Sequence, residues 1–162
     1  MKKIHLSLVM LCITVISIQA QNPTVFSEKG NFGYINSIGD TIRPALYDFA
    51  NSFKGGVAIV GIKQYGYNLY WFIDKKGNKL SSNAYFEITS FNAYGFAIAK
   101  KSKDGKLVLL DFFGKEKSKF SKRGYAVVKL GSCTWAIFNK KGELVLSSKG
   151  TYPEFWNKKY LD

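Results

Sequence analysis

The segment YWFIDKKGNK, residues 70–79, decides the fold of this chain, because its pattern recurs along the sequence. A hydrophobic run ends in Asp74, and Gly77 follows three positions later. An Asp or Asn side chain at the first position of a β-turn accepts hydrogen bonds from the backbone NH groups ahead of it, and glycine at the fourth position tolerates positive φ. The segment therefore predicts a β-hairpin with a strand on either side of the turn.

The same spacing occurs four times. Asn or Asp stands three residues before glycine in NSIG (36–39), DKKG (74–77), DFFG (111–114) and NKKG (139–142). The predicted structural turn residues are Asn36, Gly39, Asp74, Gly77, Asp111, Gly114, Asn139 and Gly142. These glycines are 38, 37 and 28 residues apart, which indicates tandem repeats with a shortened third unit.

Other positions repeat together with the turns. Alanine occupies the centre of an alternating run in GVAIV (56–60), GFAIA (95–99) and GYAVV (124–128). Alternation with period two predicts half-buried strands, and the recurrent alanine indicates the close approach of a neighbouring layer. Phe120 follows its turn glycine sooner than the corresponding Phe53 and Phe91 do, so we place the deletion in the third unit between strands.

Together these positions resemble a degenerate form of the WG-containing repeat, also called the KWG repeat. The family pattern G-K-W-G-Y-I-[ND]-x-x-G is matched by GNFGYINSIG (30–39), and its Tyr-Asp and F-x-x-G-x-A-x-V segments by YDFANSFKGGVAIV (47–60). The Trp-Gly pair itself is replaced in every unit. The resemblance covers residues 30–146 and implies small antiparallel β modules stacked in tandem, commonly in exported bacterial proteins of unassigned activity.

We therefore predict an all-β fold of tandem antiparallel β-meander repeats, about 3.5 units of roughly 38 residues. Closing a propeller takes at least about four blades, so we expect an open stack or an incomplete propeller-like array. The predicted boundaries are 1–20 for a signal peptide, 21–150 for the WG-like β-repeat domain and 151–162 for a C-terminal capping tail. In that tail, Phe155 and Trp156 are expected to cover the exposed end of the last sheet.

Residues 1–20 have the layout of an export signal. Lys2 and Lys3 precede an apolar stretch, and Ala20 stands at the expected cleavage site before Gln21. The apolar stretch of about 15 residues is shorter than the roughly 20 that span a bilayer. We therefore predict an exported protein, periplasmic or secreted, with no transmembrane segment after the signal is removed.

Removal of this signal would restrict the available chemistry. The one histidine, His5, would be lost together with Cys12, leaving Cys133. That excludes a His-containing catalytic triad, a His-based or multi-Cys metal site and an intramolecular disulfide. We therefore predict no catalytic residues, no metal site and no cofactor. Carboxylates such as Asp48 and Glu87 remain, so a carboxylate-dependent hydrolase of the cell envelope is the alternative function.

The processed chain would be strongly basic. Without Lys2 and Lys3 it has 22 Lys and Arg against 11 Asp and Glu, a net charge of +11. Lysine pairs occupy equivalent turn positions in two units, Lys75-Lys76 and Lys140-Lys141, so stacking should bring them to one side of the molecule. Such a surface attracts anionic glycans, lipid head groups or nucleic acid, although lysines at hairpin tips also serve simply to prevent edge-to-edge pairing of sheets.

An insertion with aromatic residues, GIKQYGYNLYW (61–71), has no counterpart in the later units. We expect it to form a flexible loop on which the ring of Tyr65 is free to stack on a sugar or to enter a pocket of a partner. Tyr67 and Tyr70 are expected to belong to the following strand and to face the core.

These observations favour an exported, non-catalytic binding or interaction module that presents a basic, aromatic-rich β surface at the cell envelope. The expected partner is a protein, an anionic glycan or a lipid head group, and the oligomeric state is left open. Nucleic acid is not expected as a partner, because the chain is predicted to be exported. The predicted ligand-binding residues are Lys75, Lys76, Lys140, Lys141 and Tyr65.

Cleavage after Ala20 predicts that the exported protein begins at Gln21, because the apolar stretch ends there at a small residue. Intact-mass spectrometry of the exported protein should give the mass of residues 21–162. A product that retains residues 1–20, or one that begins at an acylated Cys12, would contradict the predicted localisation.

Overall fold

The computed structural model describes residues 21–161, so the predicted signal peptide at 1–20 lies outside the described residues. Thirteen β-strands and one helical turn form within the described part. The strands make four antiparallel sheets that follow one another in chain order. The prediction of an all-β, antiparallel repeat fold is confirmed.

The first two sheets have three strands each. They contain β1 (Thr24–Glu28), β2 (Asn31–Ile35) and β3 (Thr41–Tyr47), followed by β4 (Phe49–Ala50), β5 (Val57–Gln64) and β6 (Tyr67–Asp74).

The third sheet has four strands and the fourth has three. They contain β7 (Glu87–Ile88), β8 (Ala97–Lys100), β9 (Leu107–Leu110) and β10 (Glu116–Lys119), followed by β11 (Tyr125–Leu130), β12 (Thr134–Asn139) and β13 (Leu144–Lys149). A π-helical turn, Asn157–Leu161, lies after the last sheet.

The four repeated Asn/Asp-x-x-Gly segments form one turn in each sheet. The side-chain oxygen of the first residue accepts hydrogen bonds from two backbone NH groups ahead of it, at 2.8–3.0 Å in all four turns. The turn glycines have φ between 72° and 93°. A fifth turn of the same kind, Asn92–Gly95, precedes β8. Its Asn92 side-chain oxygen accepts hydrogen bonds from the backbone NH groups of Tyr94 and Phe96.

Three hydrophobic clusters hold the sheets together. The first cluster lies between the first and second sheets, the second cluster between the second and third, and the third cluster between the third and fourth. Each cluster contains one alanine of the repeated runs, namely Ala58, Ala97 and Ala126, and none of the three is more than 1% exposed. The small side chain allows the close approach of the preceding sheet that the sequence predicts. Because the clusters of the described residues join only successive sheets, the array is an open stack.

The expectation of half-buried strands is wrong for the inner alanine-containing strands. In β5, Ala58 and Val60 face the first cluster whereas Val57 and Ile59 face the second. A strand in the middle of a stack has a core on each face, so its alternate residues are buried in different clusters.

The shortened spacing before the last turn removes an entire short strand. The second and third sheets begin with β4 and β7, which pair with the edges of the alanine-containing strands β5 and β8. The fourth sheet, within the described residues, begins directly with β11. The sequence predicts that the deletion lies between strands. In the structure it removes the short edge strand equivalent to β4 and β7.

The C-terminal tail packs on the outer face of the fourth sheet. Trp156 and Tyr160 are buried there against Ile137. The hydroxyl of Ser121 donates to the Tyr160 carbonyl at 2.8 Å. Phe155 was expected to help cover this face but is 67% exposed, because the helical turn directs only one side of the tail toward the sheet.

The turn glycines also join each sheet to the one before it. The carbonyl oxygen of Gly77 accepts a hydrogen bond from Arg43 Nε at 2.8 Å, and that of Gly142 accepts one from Asn92 Nδ2 at 2.9 Å. Between them in the stack, the Gly114 carbonyl accepts a hydrogen bond from the Tyr85 hydroxyl at 3.2 Å. In all three cases the donor belongs to the preceding sheet or to a segment paired with it.

The turn glycines differ in the room that each leaves for a side chain, so a comparison of two of them tests the contact between sheets. A Cβ on Gly77 would collide with the Arg43 side chain, whereas a Cβ on Gly39, in the first turn, would meet nothing within 4 Å. Both glycines have positive φ, 78° and 93°. Of these two glycines, Gly77 alone combines a positive φ with close packing.

We expect Gly77→Ala to lower the free energy of unfolding by about 3 kcal/mol, because positive φ and steric overlap both oppose a side chain there. The matched variant Gly39→Ala should lose about 1 kcal/mol, from positive φ alone. Urea denaturation of the two variants and the parent measures both values. Equal losses would show that the contact with Arg43 does not stabilise the stack.

Candidate functional site

The protein carries a large excess of positive charge. Two ion pairs occur in the described part of the chain, Lys100–Glu87 at 3.1 Å and Lys101–Glu116 at 3.0 Å. The hydrogen bond and charge of Glu116 raise the pKa of Lys101. Because the described residues carry more Lys and Arg than Asp and Glu, a positive field extends over the surface.

Four lysines line one concavity at the junction of the third and fourth sheets. It has a volume of about 410 Å³ and is lined by Lys100, Lys106, Leu107, Phe120, Ser121, Lys122 and Lys140. We call it the basic concavity. No carboxylate lies within 4 Å of Lys106, Lys122 or Lys140 among residues 21–161.

Local backbone geometry positions these lysines. Lys122 lies in the turn Ser121–Gly124, which closes with a hydrogen bond from the Gly124 NH to the Ser121 carbonyl at 2.9 Å. The aliphatic stem of Lys140 passes over Gly124, where a Cβ would stand 2.7 Å from Lys140 Cε. The missing side chain of Gly124 therefore gives the Lys140 side chain the room to lie there.

The concavity combines positive charge with an apolar wall. Phe120 and Leu107 are half-buried and pack against the third cluster, so they form an apolar part of its lining. Lysine binds carboxylate, phosphate or sulfate as a point charge with three donors. The arrangement is therefore suited to holding an anionic group with an apolar portion.

The other predicted lysines lie elsewhere. Lys75 and Lys76 are in the turn of the second sheet, and Lys141 is exposed in the turn of the fourth sheet. Between those two sheets stands the third, whose turn carries Phe112 and Phe113. Of the predicted lysines only Lys140 lines the basic concavity, and the role of the two pairs as a joint site stays a prediction.

Tyr65 lies at the tip of a regular hairpin. The expectation of a flexible loop is wrong, because β5 and β6 pair in register from Val57↔Asp74 to Gln64↔Tyr67, leaving a two-residue turn. Tyr65 is 90% exposed. Tyr70 packs against the second cluster as expected, but Tyr67 is half-exposed because it lies beyond the end of the core.

A second concavity lies beside this tip. It has a volume of about 290 Å³ and is lined by Gln64, Tyr65, Tyr67, Leu69, Phe86, Lys101, Ser102 and Lys103. We call it the aromatic groove. The sequence also indicated Lys101 and Lys103 as part of a possible basic rim around KDG (103–105), but it gave no sign of Phe86, which comes from a segment after the second turn.

The carboxylates that the alternative function would need are engaged separately. Asp48 accepts a hydrogen bond from the Lys63 NH at 2.7 Å, and Glu87 pairs with Lys100. Within residues 21–161 no group of three or more His, Cys, Asp or Glu could hold a metal ion. Asp48 and Glu87 therefore each have a separate hydrogen-bond or ion-pair partner.

The shifted pKa values have structural causes. Burial raises the pKa of Tyr34, with a smaller contribution from Tyr47, and so keeps the Tyr34 phenol neutral. Desolvation alone would raise the pKa of Asp74, but hydrogen bonds from Asn78 and from the Lys76 NH hold it below the usual value for a carboxyl. Asp74 is therefore a charged turn acceptor rather than a proton donor.

No helix in the described residues is both long and apolar enough to cross a membrane. Cys133 is exposed between β11 and β12 and has a free thiol.

Comparison with known proteins identifies one repeat. The family model for the WG containing repeat matches residues 32–64, which run from β2 through the first turn to the end of β5. No curated protein matches the chain.

The Asp74 turn generates a pH-dependent prediction. We expect Asp74→Ala to lower the free energy of unfolding at neutral pH by about 1 kcal/mol, because backbone NH groups lose their acceptor. Asp74→Asn should cost less, since Asn36 and Asn139 accept equivalent hydrogen bonds at their turns.

Denaturant titrations across pH test the charge of Asp74 separately. A folded-state pKa below the unfolded value of about 3.9 stabilises the protein above that pH, and this part is lost as the pH falls through the folded pKa. The small stability difference between the parent and Asp74→Asn should therefore shrink in acid. A difference that grew in acid would contradict the lowered pKa.

Proposed function

We propose that this chain, a WG-repeat protein by its match over residues 32–64, is a non-catalytic binding module that holds an anionic partner in the basic concavity. In this proposal the protein is exported and the partner is an envelope component: an anionic glycan, a lipid head group or an acidic surface of a protein. The repeats build the scaffold and the lysines between the last two sheets bind.

The observation that carries this proposal is the convergence of Lys100, Lys106, Lys122 and Lys140 on one concavity. Like charges repel when they are brought together, and only Lys100 has a carboxylate within 4 Å among the described residues. An anion bound there would remove this repulsion. All four lysines lie in turns, in a loop or at a strand end, where their ammonium groups reach solvent.

The chemistry of lysine defines the expected mode of binding. An ammonium group is compact and strongly hydrated and imposes little geometry on an anion. Binding should therefore depend on charge density more than on shape, and should weaken as salt screens the charges over about 8 Å at physiological ionic strength. Phe120 adds an apolar contact that salt does not weaken.

Charge reversal tests the proposal. The double variant Lys122→Glu/Lys140→Glu should weaken binding to polygalacturonate, or to vesicles containing phosphatidylglycerol, by at least about tenfold, because two attractions become repulsions. The matched variant Lys117→Glu/Lys119→Glu has the same net charge but alters exposed lysines outside the concavity. Its affinity for the same probes should fall by about twofold to threefold, since only the long-range electric field changes. Circular dichroism checks that both variants keep the β fold.

Comparison of polygalacturonate with the vesicles shows whether the site prefers a glycan or a lipid head group. A third variant tests the lysines in the turn of the second sheet. Lys75→Glu/Lys76→Glu tests whether the turn of the second sheet contributes, as the sequence predicts. Equal losses in all three variants would show that binding follows overall charge and would contradict a defined site.

A further inference from the structure

The β5–β6 hairpin is longer than the stack requires. Its strands pair over eight residues each, whereas the equivalent strands of the third sheet, β8 and β9, pair over four. The outer part of the hairpin, residues 63–68, is exposed throughout. This extension adds almost nothing to a core, so its length calls for an explanation outside folding.

The tip of the hairpin holds an aromatic residue in an unfavourable backbone conformation. Tyr65 has φ of 51° and Gly66 has φ of 80°, the positive pair that a two-residue hairpin turn requires. Asn-Gly is the favoured sequence for such a turn, and a bulky residue at positive φ is strained. The Tyr65 ring is 90% exposed, so packing within the chain does not offset that strain.

The aromatic groove beside the tip combines rings with polar groups. Tyr67 packs against Phe86 with ring centroids 5.7 Å apart, which holds the Tyr67 ring in place. Across the groove, Lys101 is paired with Glu116, whereas no carboxylate lies within 4 Å of Lys103 in the described chain. Gln64 and Ser102 provide further hydrogen-bonding groups.

We infer that the aromatic groove binds one acidic sugar residue of a glycan. A pyranose ring has a face of C–H groups, which stacks on Tyr65 and Tyr67, and a rim of hydroxyl groups, which meets Gln64 and Ser102. Its acidic substituent, a carboxylate or a sulfate, pairs with Lys103. The volume, about 290 Å³, is at the lower end of the range for small-ligand pockets and fits one such ring.

Other ligand classes use only part of this lining. An apolar side chain of a protein partner would cover the polar groups without pairing them, which costs free energy. A small inorganic anion would make no use of the rings. A nucleotide could stack and pair with Lys103, and the experiment below includes it as a competing outcome.

This inference does not rest on the proposed function, because the groove and the basic concavity share none of their lining residues. The two sites also differ in physical behaviour. Lysine attraction in the concavity is screened by salt, whereas ring stacking in the groove is not.

The experiment is calorimetric titration of the processed protein with tetragalacturonate and with a sulfated heparin hexasaccharide. Cellotetraose serves as the neutral comparison and an oligothymidylate as the nucleic-acid comparison. We expect at least one acidic oligosaccharide to bind, and to keep a measurable part of its affinity near 1 M salt, where the Debye length falls to about 3 Å.

Tyr65→Asn is the decisive variant, because Asn-Gly favours the turn while the ring is lost. Its melting temperature should equal or exceed that of the parent, and its affinity for the acidic sugar at high salt should fall by about tenfold. Phe113→Ala, which removes an exposed ring at a distant turn, should leave the affinity unchanged. Lys103→Glu should abolish the preference for acidic over neutral sugar, and Lys122→Glu/Lys140→Glu should leave the salt-resistant part intact.

Several outcomes would overturn the inference. These are no binding of either acidic oligosaccharide, unchanged affinity in Tyr65→Asn, equal affinity for cellotetraose, and tighter binding of the oligothymidylate. Loss of the salt-resistant binding in Lys122→Glu/Lys140→Glu would place the sugar in the basic concavity and would equally refute a site in the groove.

Discussion

The carbonyl oxygen of each turn glycine after the first accepts a hydrogen bond that joins its sheet to the sheet before it. Arg43, Tyr85 and Asn92 donate to Gly77, Gly114 and Gly142 across successive interfaces. A hydrophobic core between two sheets has no intrinsic register, whereas a directional hydrogen bond at its edge does. These hydrogen bonds fix the position of each turn against the preceding sheet. The inner alanine-containing strands then have a sheet or core on both faces.

Stacking of this kind leaves the loops and hairpin ends for binding, because both faces of the inner strands are occupied. The β8–β9 loop illustrates the consequence, since Lys101, Ser102 and Lys103 line the aromatic groove while Lys106 lines the basic concavity. One loop therefore contributes to two surfaces of different character, one dominated by charge and one by aromatic rings. Under the two proposals, a long anionic glycan would engage both surfaces through its repeating acidic groups and pyranose rings.

Much of the fold was predictable from sequence because it depends on local chemistry. The turns at Asn36, Asp74, Asp111 and Asn139 form from contacts within five residues. The turn at Asn92 has the same Asn-x-x-Gly pattern, but it precedes an alanine-containing strand. A search for hydrophobic runs that end in such a turn therefore does not find it. The candidate sites were less predictable from sequence. Lys140 and Tyr65 were identified. Lys122 and Phe86 come from neighbouring units, and no regular spacing in the chain relates Lys122 to Lys140 or Phe86 to Tyr65.

The sequence by itself determined the chemistry of the four turns and the all-β, antiparallel repeat character of the fold, since both depend on residues close together in the chain. The tertiary structure alone decided that β5 and β8 are buried on both faces, that Tyr65 lies at the tip of a regular hairpin and that four lysines share one concavity. Those features depend on the packing of one sheet against the next. Such packing is a long-range property, set by shape and by contacts between residues many positions apart.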